Sequence, residues 1–172
     1  MAADDAFLND VADSLSQLPG AIGVALGGSR AQGTSRPNSD WDFSIYYRGT
    51  FDPDHVRALG WHGQTTDLGG WGPLFNGGGA FTVHGRQIDI HYRDLNRIAT
   101  IQDAAERGDF DVEPLLFHQA GIPSYILLAE LAPSDKEPAP AFKVKLDGPP
   151  CPTCGFKIRT SVPPPFCDFA RE

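Results

Sequence analysis

Three carboxylates stand where they could act together: Asp40 and Asp42, separated by one tryptophan, and Asp89 in the alternating run Gln87-Ile88-Asp89-Ile90-His91. Residues i and i+2 of a strand project from one face, so Asp40 and Asp42 crowd two negative charges together, which is costly unless a cation neutralises them. Carboxylate oxygens suit hard ions, above all Mg2+, which keeps several waters and takes further ligands from phosphates. The expected metal ligands are Asp40, Asp42 and Asp89. Asp89, on the strand face opposite Ile88 and Ile90, is the best-placed group to coordinate or deprotonate an attacking hydroxyl. Two metal ions held by three carboxylates would stabilise the entering and leaving oxygens of an in-line displacement at phosphorus.

Upstream of the pair, Gly27-Gly28-Ser29 ends the apolar run Ala21–Leu26 and opens a helical turn. Exposed backbone N–H groups and a small hydroxyl there can receive an anion without steric conflict. Gly28, Ser29 and Arg30 are therefore the candidate nucleotide-binding residues, although Arg30 and Arg36 suit a plain surface as well as a phosphate. The stretch Ala21–Tyr47 reads as strand, helical turn, polar loop and second strand. Trp41 and Phe43 alternate with the carboxylates and so should face the core.

The remaining chain must position these groups. Phe7, Leu8, Val11, Leu15 and Leu18 recur at helical spacing over residues 4–18, with Pro19-Gly20 as the stop. Asp52-Pro53 opens a short helix ending at Gly60. The glycine-dense stretch Trp61–Gly79 has no sustained period and reads as a long mobile loop lying over a ligand. Ala80–Arg93 reads as a hairpin turning at His84-Gly85-Arg86, and Asp94 caps a helix that ends near Gly108. Ser124 opens an apolar helix that stops at Pro133, after which the chain is rich in proline. The expected organisation is one domain over residues 1–132 and a disordered or loosely attached tail over 133–172. In that tail Cys151, Cys154 and Cys167 resemble part of a zinc knuckle without a fourth ligand. The histidines show no metal-ligand spacing; His91 shares a strand face with Asp89.

A chain of 172 residues with 41% hydrophobic content can build one ordinary core. The net charge of −8 disfavours an extended nucleic acid as partner. No apolar run approaches the roughly 20 residues that span a bilayer, and the acidic MAADDAFLND start is unlike a signal peptide. A cytoplasmic protein is expected, in keeping with three cysteines that make no disulfide framework.

The segment GGSRAQGTSRPNSDWDFSIYY resembles the signature of the nucleotidyltransferase (DNA polymerase β-like) superfamily: a Gly-Ser turn, about ten residues, then Asp-x-Asp between apolar residues. The strand Gln87–His91 resembles the superfamily's third-carboxylate strand, and the likeness covers about residues 20–95. It implies an α+β fold with a mixed, mostly antiparallel sheet and helices packed on one side. It further implies Mg2+ dependence and transfer of a nucleoside monophosphate from an NTP, with ATP the expected donor, to a hydroxyl of a small molecule or protein. Pyrophosphate leaves. Acidic charge and short length look more like small aminoglycoside-type or minimal members than polymerases.

Longer relatives continue from a helix like Ser124–Ala132 into a helical region that helps hold the acceptor, whereas here the chain turns Pro-rich. A truncated or shifted frame after about residue 132 is the expectation that this break motivates. Two other readings stay open. One is a non-catalytic module of the same fold that binds nucleotide or protein, as antitoxin-like relatives do. The other is a serine hydrolase with Ser29 in a loose nucleophile elbow, weakened by Ala31 where glycine is usual and by the lack of preceding strands.

Overall fold

The computed structural model describes residues 2–115 and 118–130. The proposed 133–172 tail, its cysteines, and the end of the Ser124–Ala132 helix lie outside the described residues.

Helix α1 (Ala2–Ser16) begins with Asp4 and Asp5 in its first turn, where carboxylates favour the helix dipole. Its helical spacing buries Phe7, Leu8, Val11 and Leu15. The chain then forms β1 (Gly23–Leu26), α2 (Gly28–Ala31) and β2 (Trp41–Tyr47), the order read from the sequence. Asp52 caps the turn into α3 (Asp54–Arg57), its Oδ1 accepting from the Asp54 N–H at 2.9 Å. There follow β3 (His62–Thr65), α4 (Gly72–Phe75), β4 (Gly78–Val83) and β5 (Arg86–Asp94). Asp94 caps α5 (Leu95–Glu106), its side chain accepting from the Asn96 N–H at 2.9 Å, and Gly108 follows the helix at φ +79°. A hairpin of β6 (Val112–Leu115) and β7 (His118–Pro123) then leads to α6 (Ile126–Ala129).

The main sheet has the order β1-β2-β5-β4-β3. Only β2 and β5 run parallel; β1·β2, β5·β4 and β4·β3 are antiparallel. This bears out the mixed, mainly antiparallel α+β expectation. Alternation sorts the two central strands: Trp41, Phe43, Ile45 and Tyr47 from β2 join Ile88, Ile90 and Tyr92 from β5 in the core. Asp42, Ser44, Asp89 and His91 are left half-buried on the other face.

The glycine-dense stretch differs from its expectation as a mobile loop. It holds an edge strand and a helical turn, because its glycines admit close backbone approach. A side chain on Gly79 would meet the Gln64 carbonyl at 2.3 Å, and one on Gly63 the Ala80 carbonyl at 2.2 Å. Asn76 fastens the stretch, accepting from the Gly69 N–H at 3.0 Å and donating to Tyr47 Oη.

Arg93, only 3% exposed, ties β5 to α4 and α6. Its Nε and Nη2 donate to the two carboxylate oxygens of Glu130 at 3.0 and 3.1 Å, and Nη1 donates to the Phe75 carbonyl at 3.1 Å. Replacing Arg93 by alanine should cost about 3 kcal/mol in denaturant unfolding. That is the lower end for a broken buried pair, because Glu130 at 37% exposure keeps contact with water. An unchanged midpoint would show that the pair does not hold α6.

Candidate active site

The parallel register of β2 and β5 sets Asp42 directly opposite Asp89, two residues far apart in sequence. Both are half-buried on the face away from the core. Asp40 stands exposed one residue before β2 begins. Burial, the charge of Asp89 and the charge of Asp40 together hold the Asp42 carboxyl above the ordinary carboxylate range, against a smaller pull from Arg30.

Next to Asp42 lies the Gly27–Ser29 turn. The Gly27 N–H donates to the Asp42 carbonyl at 2.7 Å, continuing the β1·β2 ladder by one residue. Gly28 follows at φ +61°, and a Cβ there would fall 1.9 Å from Asp42 Oδ2. The turn and the carboxylate are therefore packed as one unit. Within α2, Ala31 is the first residue whose N–H bonds back, to the Gly27 carbonyl at 3.3 Å. The N–H groups of Gly28, Ser29 and Arg30 have no intrahelical carbonyl to reach, so they are the donors the turn can offer an anion.

Arg30 is turned toward the protein. Its Nε donates to the carbonyls of Ser39 and Asp40, both at 3.1 Å, and Nη2 donates to Ser39 again. Its guanidinium lies 4.1 Å from the centroid of Trp41. Arg30 thus clamps the loop that ends at Asp40. Arg30→Ala should free that loop, lowering any metal-dependent activity about tenfold or more while shifting thermal stability by about 1–2 kcal/mol, the scale of charge-assisted hydrogen bonds and a cation–π contact. Metal titration of nucleotide binding checks it; an unchanged half-saturating concentration would separate the clamp from the site.

The donor types and the concentrated negative charge fit a hard divalent cation. As arranged, however, no group of three or more His, Cys, Asp or Glu side chains among the described residues stands close enough to hold a metal ion. Asp42 and Asp89 are brought together by register, and Asp40, exposed just before β2, is near enough for its charge to act on Asp42.

On the far side of Asp89, two side chains complete this face. His91 follows two residues along β5 and packs against Trp71, ring centroids 5.8 Å apart at 66°. Burial and the charge of Arg93 hold the His91 imidazole below its ordinary range, against weaker pulls from Glu130 and Asp89. Trp71 was not marked by any spacing in the sequence; its signal was an aromatic residue amid glycines, hidden inside an apparent loop.

Residues 8–71 match the family model of the nucleotidyltransferase domain, a span that contains the Gly-Ser turn, Asp40 and Asp42 and ends before Asp89. No curated protein matches the chain. Of solved structures, one concerning the activity of a cytoplasmic RNA terminal U-transferase is 19% identical with a TM-score of 0.42, covering 60% of this chain and 32% of that one. Cid1 in complex with its short product ApU is 17% identical with a TM-score of 0.37, covering 57% of this chain and 28% of that one. Cid1 with the UTP analogue UMPNPP is 15% identical, again at 0.37, covering 60% and 30%. The chain spans about a third of the length of these structures. The family match bears out the superfamily resemblance carried by the turn and the Asp-x-Asp.

Proposed function

We propose that this chain, whose residues 8–71 match a nucleotidyltransferase domain, moves a nucleoside monophosphate from an NTP to a hydroxyl of a small molecule or protein and releases pyrophosphate. ATP is the expected donor and the cytoplasm the expected compartment. No helix among the described residues is long and apolar enough to cross a membrane. The observation that carries the reading is the in-register pairing of Asp42 with Asp89 beside a turn whose Gly28 packs against Asp42.

In this reading the N–H groups of Gly28, Ser29 and Arg30 receive the phosphates, with the Ser29 hydroxyl beside them. Asp40, Asp42 and Asp89 would hold Mg2+, which when bound neutralises the phosphate and carboxylate charge and polarises the reacting phosphorus. Asp89 accepts the proton of the acceptor hydroxyl as its oxygen attacks the α-phosphorus. The bond to the β-phosphate bridging oxygen breaks, and pyrophosphate departs.

The test is incubation of the protein with α-labelled NTPs, Mg2+ and a panel of hydroxyl acceptors, alongside Asp89→Ala. Label should move to an acceptor, and Asp89→Ala should keep much of the nucleotide binding while losing turnover. A second reading, a module that binds nucleotide without turnover, is favoured by the lack of a ready three-ligand group among the described residues. Metal-dependent nucleotide binding without transfer in the unaltered protein would decide for that module.

A further inference from the structure

Across the sheet the components stand in a fixed sequence. The phosphate turn closes β1, Asp42 lies on β2, Asp89 and His91 on β5, and then comes β4. With phosphates at the β1 end and the attacking hydroxyl at Asp89, β4 is the side of the sheet that lies away from the phosphates, where the body of the acceptor would extend. That side has an unusual surface. Opposite Asp89 in the β4·β5 register is Ala80, small and exposed; opposite His91 is Gly78. Over Gly78 lies the indole of Trp71, whose Cη2 and Cζ3 would stand 2.8 Å from any Cβ placed there. Trp71 is 39% exposed, the imidazole of His91 packs against its indole, and the residue opposite Asp89 on β4 is the small Ala80.

The indole is also held in place. Trp71 starts α4, whose Leu74 is buried; the Gly72 N–H donates to the Gly69 carbonyl at 2.9 Å, and Asn76 joins Gly69 to Tyr47. Such a fixed flat face loses little freedom when a ring lies on it, which is how aromatic contacts favour cyclic over flexible partners. The neighbouring carboxylates and the net charge of −8 work against a phosphate-bearing acceptor.

Resting on the nucleotidyl-transfer reading, we propose that Trp71, braced by His91, is the acceptor platform, and that it selects a small cyclic alcohol without phosphate groups over an open-chain one. The ring lies on the indole and over Ala80, and its hydroxyl reaches Asp89. Trp71 determines specificity and takes no part in proton transfer.

The experiment uses the full chain labelled with 5-fluorotryptophan, the Trp71 resonance being assigned by its loss in Trp71→Phe. Three probes are titrated: myo-inositol, its open-chain counterpart sorbitol with the same number of carbons and hydroxyls, and α,β-methylene-ATP with Mg2+. The Trp71 resonance should move with inositol at a half-saturating concentration at least tenfold below that of sorbitol. Saturation-transfer signals from inositol should fall about tenfold in Trp71→Ala, whose affinity for the ATP analogue should stay within twofold of the parent. Equal half-saturation by the two polyols, or a Trp71 resonance that follows the ATP analogue and ignores inositol, would overturn the platform. If label transfer from ATP fails while the inositol titration behaves as expected, the transfer reading falls and the ring-binding surface stands.

Discussion

Asp42→Asn should abolish nucleotidyl transfer and at the same time make the fold more stable. The loss follows from removing a negative donor at the centre of the charge cluster; several kcal/mol of charge stabilisation correspond to about a thousandfold or more in rate. The gain follows from the same cluster. Burial and the charges of Asp89 and Asp40 raise the Asp42 pKa in the fold above its ordinary 3.8. Between 3.8 and the raised folded value the native state binds more protons than the unfolded chain, so stability falls as pH rises through that window. Above that window the penalty is fully present, and the isosteric amide removes it. Each 1 kcal/mol of such a gain raises the melting temperature by about 2–4 °C for a chain of this size. Calorimetry of both proteins at pH 7, with the transfer assay beside it, checks the pair of effects. A less stable Asp42→Asn would mean that Asp42 is satisfied as an anion in the resting protein.

Gly28→Ala should be the most damaging single methyl group in the site. The added Cβ would stand 1.9 Å from Asp42 Oδ2 and 2.7 Å from its Cγ, on a backbone at φ +61°. The left-handed conformation alone costs an alanine about 1–2 kcal/mol, and the clash must move either the turn or the carboxylate. Displacement of a reacting group by about 1 Å lowers rate by about a hundredfold. Gly33→Ala is the matched control, since Gly33 has φ +68° and open space around its absent side chain. It should lose about as much stability as the conformational cost predicts and keep its activity. If Gly28→Ala and Gly33→Ala behave alike, contact with Asp42 does not govern the site.

The elements legible in the sequence were those with a local period or a local cap. Helix α1 shows itself through Phe7, Val11 and Leu15, α5 through Asp94, and the β4–β5 hairpin through His84-Gly85, whose positive φ angles make the turn. The turn and the Asp-x-Asp were legible as chemistry because they lie within one short stretch. The register of Asp42 with Asp89 was not, because parallel strands are joined by distant chain and leave no local mark. The stretch Trp61–Gly79 misled because glycine has no side chain to display alternation, although Gly78 and Gly79 pair in the sheet. The β6–β7 hairpin leaves no strand signal in the sequence, because Pro114 and Pro123 argue against strands. Arg30 read as a surface or phosphate residue; its hold on Ser39 and Asp40 depends on how the loop folds back.

The strand order also divides the site by how readily its parts come undone. Asp42 and Asp89 sit on β2 and β5, inside the sheet with a hydrogen-bonded neighbour on each side, whereas β3 is an edge and the stretch behind Trp71 continues from it. Cooperative opening begins where few buried contacts resist it. Amide hydrogens of β2 and β5 should therefore exchange only with global unfolding, and those of the edge strand β3 far sooner. Asp42 and Asp89 would keep their relation for as long as the protein remains folded at all, while the edge strand β3 opens and closes many times within that lifetime.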